Sequence, residues 1–217
     1  MLGWEENRTP SDLRFLLDKI GELKRGEVGE LIRSRIKEFK SLPPEKWFSE
    51  LCFCILTANS SAQIGIKAQE EIGNGFLTIS KDSLARLLRE LGHPYYERRA
   101  EYIVEARKYS NIYEIISQFR DERQAREWLA KNVKGIGYKE ASHFLRNVGY
   151  ENVAIIDRHV IRAMIRYGLI DKMPKSLTRK KYLELEKVLE KVAKDAGLTL
   201  AELDLYLWYM ETGKVLK

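Results

Sequence analysis

The sequence holds two cysteines, Cys52 and Cys54, and none beyond them. Two thiols one residue apart can build neither a disulfide framework nor a four-cysteine metal site. Such sparing use fits a reducing, intracellular compartment, cytoplasm or nucleoid. Three histidines, His93, His143 and His159, are too few to suggest a zinc enzyme. No run approaches the ~20 consecutive apolar residues of a spanning helix, so no membrane partner is expected. Residues 1–12 are polar and lack the apolar core of a signal peptide. Repeats, low-complexity tracts and the alternating pattern of strands are also missing.

What is present is a chain of 217 residues, long enough for one or two domains, with 44% hydrophobic residues. That composition excludes a disordered or collagen-like chain. Thirty-eight Lys and Arg against 32 Asp and Glu leave a net charge of +6, a weak pointer to an anionic partner.

Nearly every segment reads with helical period, which predicts an all-α fold of roughly a dozen short helices. Leu13, Leu16, Leu17, Ile20 and Leu23 share one face after a capping signal at Thr9-Pro10-Ser11-Asp12. Leu31, Ile32, Ile36 and Phe39 form a second stripe. Trp47, Phe48, Leu51, Ile55 and Leu56 predict a buried helix after the break at Pro43-Pro44. Ser80 is expected to cap the stripe Leu84, Leu87, Leu88 and Leu91. Tyr182, Leu185, Val188, Leu189, Val192 and Ala196 make a long amphipathic stripe, and Thr199 with Glu202 a capping box. Pro43-Pro44 and the turn at 149–152 are the strongest punctuation. They predict a central helical unit over 43–150, with 1–42 and 151–217 together forming a second.

The most informative stretch is Val133-Lys134-Gly135-Ile136-Gly137-Tyr138-Lys139. Two glycines around one apolar residue, between helices expected over 125–132 and 140–147, make a tight hairpin. Free amides at the start of the second helix, with its dipole, favour a phosphate. Ile136 would anchor the hairpin in the core, and Lys134 and Lys139 flank it with positive charge. The same residues fit a plain helix–helix turn. Lys139 sits where the helix dipole disfavours its ammonium form, and a neutral amine is a nucleophile able to form a Schiff base. Electrostatic phosphate binding suits it equally by position. Eighteen residues on, the apolar run Ala154-Ile155-Ile156 stops at Asp157, which the following periodicity marks as a helix N-cap.

Val133–Lys139 together with Ile156-Asp157-Arg158-His159-Val160 resembles the helix-hairpin-helix DNA glycosylases related to endonuclease III. Residues 51–62, 92–100, 139–147 and Asp204-Leu205-Tyr206-Leu207-Trp208-Tyr209 narrow this, because they look like the archaeal-type 8-oxoguanine DNA glycosylase/AP lyases. The resemblance spans about residues 28–217 with matching order and spacing. It implies a bifunctional repair enzyme, expected as a monomer with a DNA-binding active-site cleft between its two helical units, whose partner is double-stranded DNA containing 8-oxoguanine. The target nucleotide is flipped out before reaction. Lys139 would attack the sugar and displace the base, Asp157 would assist, and β-elimination would cut the strand. Asn59 matches the position that fills the hole left by the flipped base; its other reading is a helix N-cap. Tyr95 and Trp208 match positions that stack on the base, and Lys217, through a terminal carboxylate, the reader of its edge. Lys134, Gly135, Ile136, Gly137 and His159 match DNA-binding positions. No cofactor is required and no metal is needed for the chemistry, although members often hold a monovalent cation through hairpin carbonyls, here those of 132–137. Cluster-bearing relatives carry four C-terminal cysteines, and this chain has none after Cys54, so an iron–sulfur cluster is excluded. Two rival readings are an endonuclease III-like lyase for oxidised pyrimidines and a non-catalytic helix-hairpin-helix DNA-binding protein.

Overall fold

A computed structural model describes residues 10–217. Within them the chain forms thirteen α-helices and no strand. In order these are α1 (Pro10–Arg25), α2 (Glu27–Lys40), α3 (Trp47–Thr57), α4 (Ala62–Ile72), α5 (Gly75–Thr78), α6 (Lys81–Glu90), α7 (Tyr96–Ala106), α8 (Ile112–Ile116), α9 (Glu122–Asn132), α10 (Tyr138–Asn147), α11 (Arg158–Arg166), α12 (Arg179–Ala196) and α13 (Leu200–Thr212). None is long and apolar enough to cross a membrane. The Thr9 cap expected for α1 lies outside the described residues, as does most of the polar stretch 1–12.

The chain divides into two compact units. One is Phe39–Tyr150 with Lys217; the other runs up to Glu38 and over Glu151–Leu216. The division falls inside α2, not at Pro43-Pro44. Phe39 lies 5.1 Å from the Arg146 guanidinium, a cation–π contact, and Lys40 Cα sits where a Cβ on Gly149 would approach within 2.9 Å. The last turn of α2 therefore packs with the central helices. Lys217 departs from the expected grouping with 151–217 for the reason given below.

The central unit is built around α3. All its residues except Ser49 are buried, including Cys52 and Cys54, and it packs against α4, α7, α8 and α10. Each large apolar side chain so buried contributes about 1.5–3 kcal/mol. Burial also pushes both thiols well above their usual range, so they serve as inert packing. Ser80 caps α6, accepting from the Ser83 amide at 3.3 Å.

In the other unit α12 packs against α1 and α13, and α11 against α13. Ile32 and Ile36 of the second stripe are buried, but Leu31 is exposed. The buried arc of α2 is thus narrower than the hydrophobic pattern suggests. The Thr199 box forms as expected: Thr199 N donates to Glu202 at 2.8 Å and Glu202 N to Thr199 Oγ1 at 3.2 Å.

Candidate active site

The hairpin forms between α9 and α10. Gly135 takes φ 85°, a left-handed conformation that glycine adopts without strain. A Cβ there would also strike the Tyr102 ring at 2.3 Å, so this position needs glycine twice over. Ile136 is buried, and its amide closes the turn onto Val133 O at 3.2 Å. Gly137 is the N-cap of α10, with its amide donating to Glu140 at 3.2 Å. Lys139 stands on the first turn of α10, one-quarter exposed, 3.7 Å from Glu140. The turn carbonyls of Asn132 and Val133 each accept one hydrogen bond, from Tyr109 Oη and the Ile136 amide. A carbonyl has a second lone pair, and oxygen donors suit a hard cation.

Lys134 is not free for a phosphate. Its ammonium bridges Glu101 at 2.7 Å and Glu105 at 2.8 Å on α7, above the Tyr102 ring. The hydrogen bond to Glu101, then that to Glu105, raises its pKa, and Lys134 in turn lowers that of Glu101. In this conformation Lys134 ties the hairpin to α7.

Asn59 lies at the exposed tip between α3 and α4 with φ 58°, the one described non-glycine residue at positive φ. It does not cap α4. Ser61 does, accepting from the Ile64 amide at 3.3 Å. Asparagine tolerates the left-handed region better than most residues, and strain there often marks function. Close in sequence to Tyr95, His93 accepts from the Tyr95 amide at 3.1 Å and bonds Leu56 O at 2.8 Å. Burial lowers its pKa, so the neutral ring shapes the turn. Tyr95 itself is exposed, and the buried Arg99 guanidinium lies 5.9 Å from its ring centroid.

Lys217 is fixed rather than frayed. Its ammonium pairs with Glu50 at 2.9 Å, bonds Gln69 Oε1 and lies 4.5 Å from the Phe53 ring centroid. Glu50 is only 4% exposed and also accepts from Asn147 at 2.6 Å and Gln69 at 3.2 Å. Burial, reinforced by Arg146, Lys139 and Lys217, pushes His143 well below the usual histidine range, so the ring is neutral. Sequence reasoning missed Glu50, although a lone carboxylate in the otherwise apolar α3 was a signal.

In the other unit, Asp157 is the N-cap of α11, accepting from the Val160 amide at 2.9 Å. The strand-like run before it is pinned by α12. Glu186 accepts from the Ala154 amide at 2.8 Å, while the Tyr182 hydroxyl donates to Ala154 O at 2.7 Å and accepts from the Ile156 amide at 3.1 Å. Asp157 thus follows a lead-in whose Ala154 amide and carbonyl and Ile156 amide are all bonded to α12. His159 meets Trp208 edge to face at 4.7 Å, and the buried Trp208 indole N–H has no protein acceptor. Among the described residues, no group of three or more His, Cys, Asp or Glu is placed to hold a metal ion.

These features arise in a sequence whose residues 32–198 match the family model described as 8-oxoguanine DNA glycosylase, of the helix-hairpin-helix type. The chain belongs to the 8-oxoguanine DNA glycosylase family. It is 56% identical over 206 residues to the 8-oxoguanine DNA glycosylase/AP lyase of Methanocaldococcus jannaschii, covering 94% of this chain and all of that one. The enzyme of the same name from Korarchaeum cryptofilum is 53% identical, covering 93% and 98%. Among solved structures, the M. jannaschii 8-oxoguanine glycosylase/lyase in complex with a 15mer DNA containing 8-oxoguanine superposes with a TM-score of 0.91 at 54% identity, covering 94% of this chain and 100% of that one. The 8-oxoguanine DNA glycosylase of Thermotoga maritima gives 0.88 at 47% identity, covering 94% and 100%. The all-α helix-hairpin-helix fold is that of this glycosylase family.

Proposed function

We propose that this chain removes 8-oxoguanine from double-stranded DNA and then cleaves the resulting abasic strand, with Lys139 as nucleophile and Asp157 as its partner. The observation that carries this reading is the full-length likeness to 8-oxoguanine DNA glycosylase/AP lyases at over half identity, with a lysine on the first turn after the glycine hairpin.

The anomeric carbon is unreachable inside the base stack, so the nucleotide is extruded first. Lys139 Nζ, as the neutral amine, forms a bond to C1′. The base leaves with the electrons of the C1′–N9 bond and takes up a proton. Asp157 stabilises the cationic sugar and accepts a proton from the attacking amine. The C1′–O4′ bond then breaks, O4′ takes up a proton, and the nitrogen lone pair forms a protonated imine on C1′. The imine acidifies the C2′ hydrogen, and its removal expels the 3′ phosphate by β-elimination. Water then releases Lys139.

Backbone amides of the Gly135–Gly137 turn and the start of α10 grip phosphate without reading sequence. Carbonyls of 132–137 would hold a monovalent cation there, adding positive charge at the phosphate. Asn59 occupies the gap left in the stack, Tyr95 and Trp208 stack on the extruded base, and Lys217 reads its edge. Lys134 and His159 support the grip on DNA. The protein works as a monomer inside the cell, where its DNA is.

A base-release assay over duplexes carrying 8-oxoguanine, oxidised pyrimidines and unmodified guanine tests this. Release of 8-oxoguanine above all others, with strand scission at a preformed abasic site, is expected. Preference for oxidised pyrimidines would favour the endonuclease III-like reading, and no release from any duplex the binding-module reading.

A further inference from the structure

We propose that Glu50 is a positioning residue for base recognition: its buried carboxylate holds Lys217 in place. The inference rests on the reading of Lys217 as the residue that reads the base.

Immobilising a lysine's four-carbon stem costs rotamer entropy that the contacts fixing it must offset. Here the ammonium is fixed by Glu50, Gln69 Oε1 and the Phe53 face together. Glu50 is itself immobile. Asn147 occupies its other oxygen, and Asn147 in turn accepts from Arg146 at 3.0 and 2.9 Å. A buried carboxylate is costly unless paired, so α3 tolerates one only because Lys217, Asn147 and Gln69 complete it.

Asn147, which braces Glu50, stands on α10. A residue whose side chain is so gripped presents its main-chain oxygens in one place. That is what discrimination between two nearly identical bases demands, since a site reads by polar groups that stay put. The same helix carries the nucleophile, so the base reader and Lys139 share one rigid support.

Cleavage of a preformed abasic site needs Lys139 but no base reading, and therefore separates positioning from general damage. Excision of 8-oxoguanine and of guanine, and cleavage of an abasic duplex, are measured for wild type, Glu50→Gln, Lys217→Met, Lys217→Arg, the Glu50→Gln/Lys217→Met pair and a chain lacking Lys217. Glu50→Gln and Lys217→Met should each lower the 8-oxoguanine-to-guanine ratio about tenfold or more, the scale of one charge-assisted hydrogen bond. The double variant should be no worse than either single, Lys217→Arg should retain most of the ratio, and abasic cleavage by Glu50→Gln should persist. An unchanged ratio in Lys217→Met, when deletion of Lys217 lowers it, overturns the role of Glu50. So does an equal fall of excision and abasic cleavage in Glu50→Gln, which would mark a structural role only. If Glu50→Gln does not fold, Lys217→Met against Lys217→Arg decides. An unchanged ratio on deleting Lys217 overturns instead the underlying reading of that residue.

Discussion

Glu50 and Lys217 stand 167 positions apart in the chain and form a 2.9 Å ion pair whose carboxylate is almost fully buried. Removing one partner leaves the other charge uncompensated, which is far costlier than the net worth of the pair. The tie thus makes the position of Lys217 part of the central unit's stability.

Asp157 carries two roles that substitution separates. Asparagine caps a helix as well as aspartate, whereas alanine costs about 1 kcal/mol. Asp157→Asn should therefore melt like wild type and bind DNA, yet release base slower by about 10²–10⁴, the usual contribution of a positioned acid–base group. Asp157→Ala should lose stability as well. Thermal melts beside single-turnover excision check both. Wild-type excision by Asp157→Asn would reduce Asp157 to a cap.

The hairpin glycines differ in what they tolerate. Gly135→Ala forces a Cβ into the Tyr102 ring at positive φ and should destabilise by about 1–3 kcal/mol while weakening DNA binding. Gly137 has φ −97° and meets nothing closer than a Glu140 carboxylate oxygen at 3.2 Å, a flexible side-chain end. Gly137→Ala should fold nearly normally. Denaturant titration and DNA affinity of the two variants test the contrast.

The hairpin and the Asp157 cap were legible because both are local: a glycine spacing and an apolar run that stops at a carboxylate. Ser80, Thr199 and the buried α3 were legible for the same reason. The ties of Lys134 to Glu101 and Glu105 span 33 and 29 positions, and that of Lys217 to Glu50 more, so no periodicity reveals them. Asn59 misled because asparagine suits both a cap and a left-handed turn, and only the geometry shows Ser61 taking the cap. Leu31 misled because a hydrophobic stripe can be wider than the surface it covers.

Acid should loosen the central unit. His93 and His143 both titrate below the ordinary value of 6.5 when folded, because burial disfavours the cation. Between the folded value and 6.5 the unfolded chain binds more protons. Their contribution is fully present above 6.5 and is lost as pH falls from there toward the folded values. Melting temperature should therefore drop on acidification below 6.5, and His143→Asn should flatten that dependence. A melting curve no flatter in His143→Asn would contradict this.

One amine is assigned both reaction steps, so borohydride reduction during turnover tests the central claim directly. Wild type mixed with an 8-oxoguanine duplex and borohydride should yield a covalent protein–DNA adduct. Lys139→Gln, which loses only a 3.7 Å contact to Glu140 and should fold normally, should give no adduct, no released base and no cut strand. An undiminished adduct in Lys139→Gln, or none with wild type, would contradict the account.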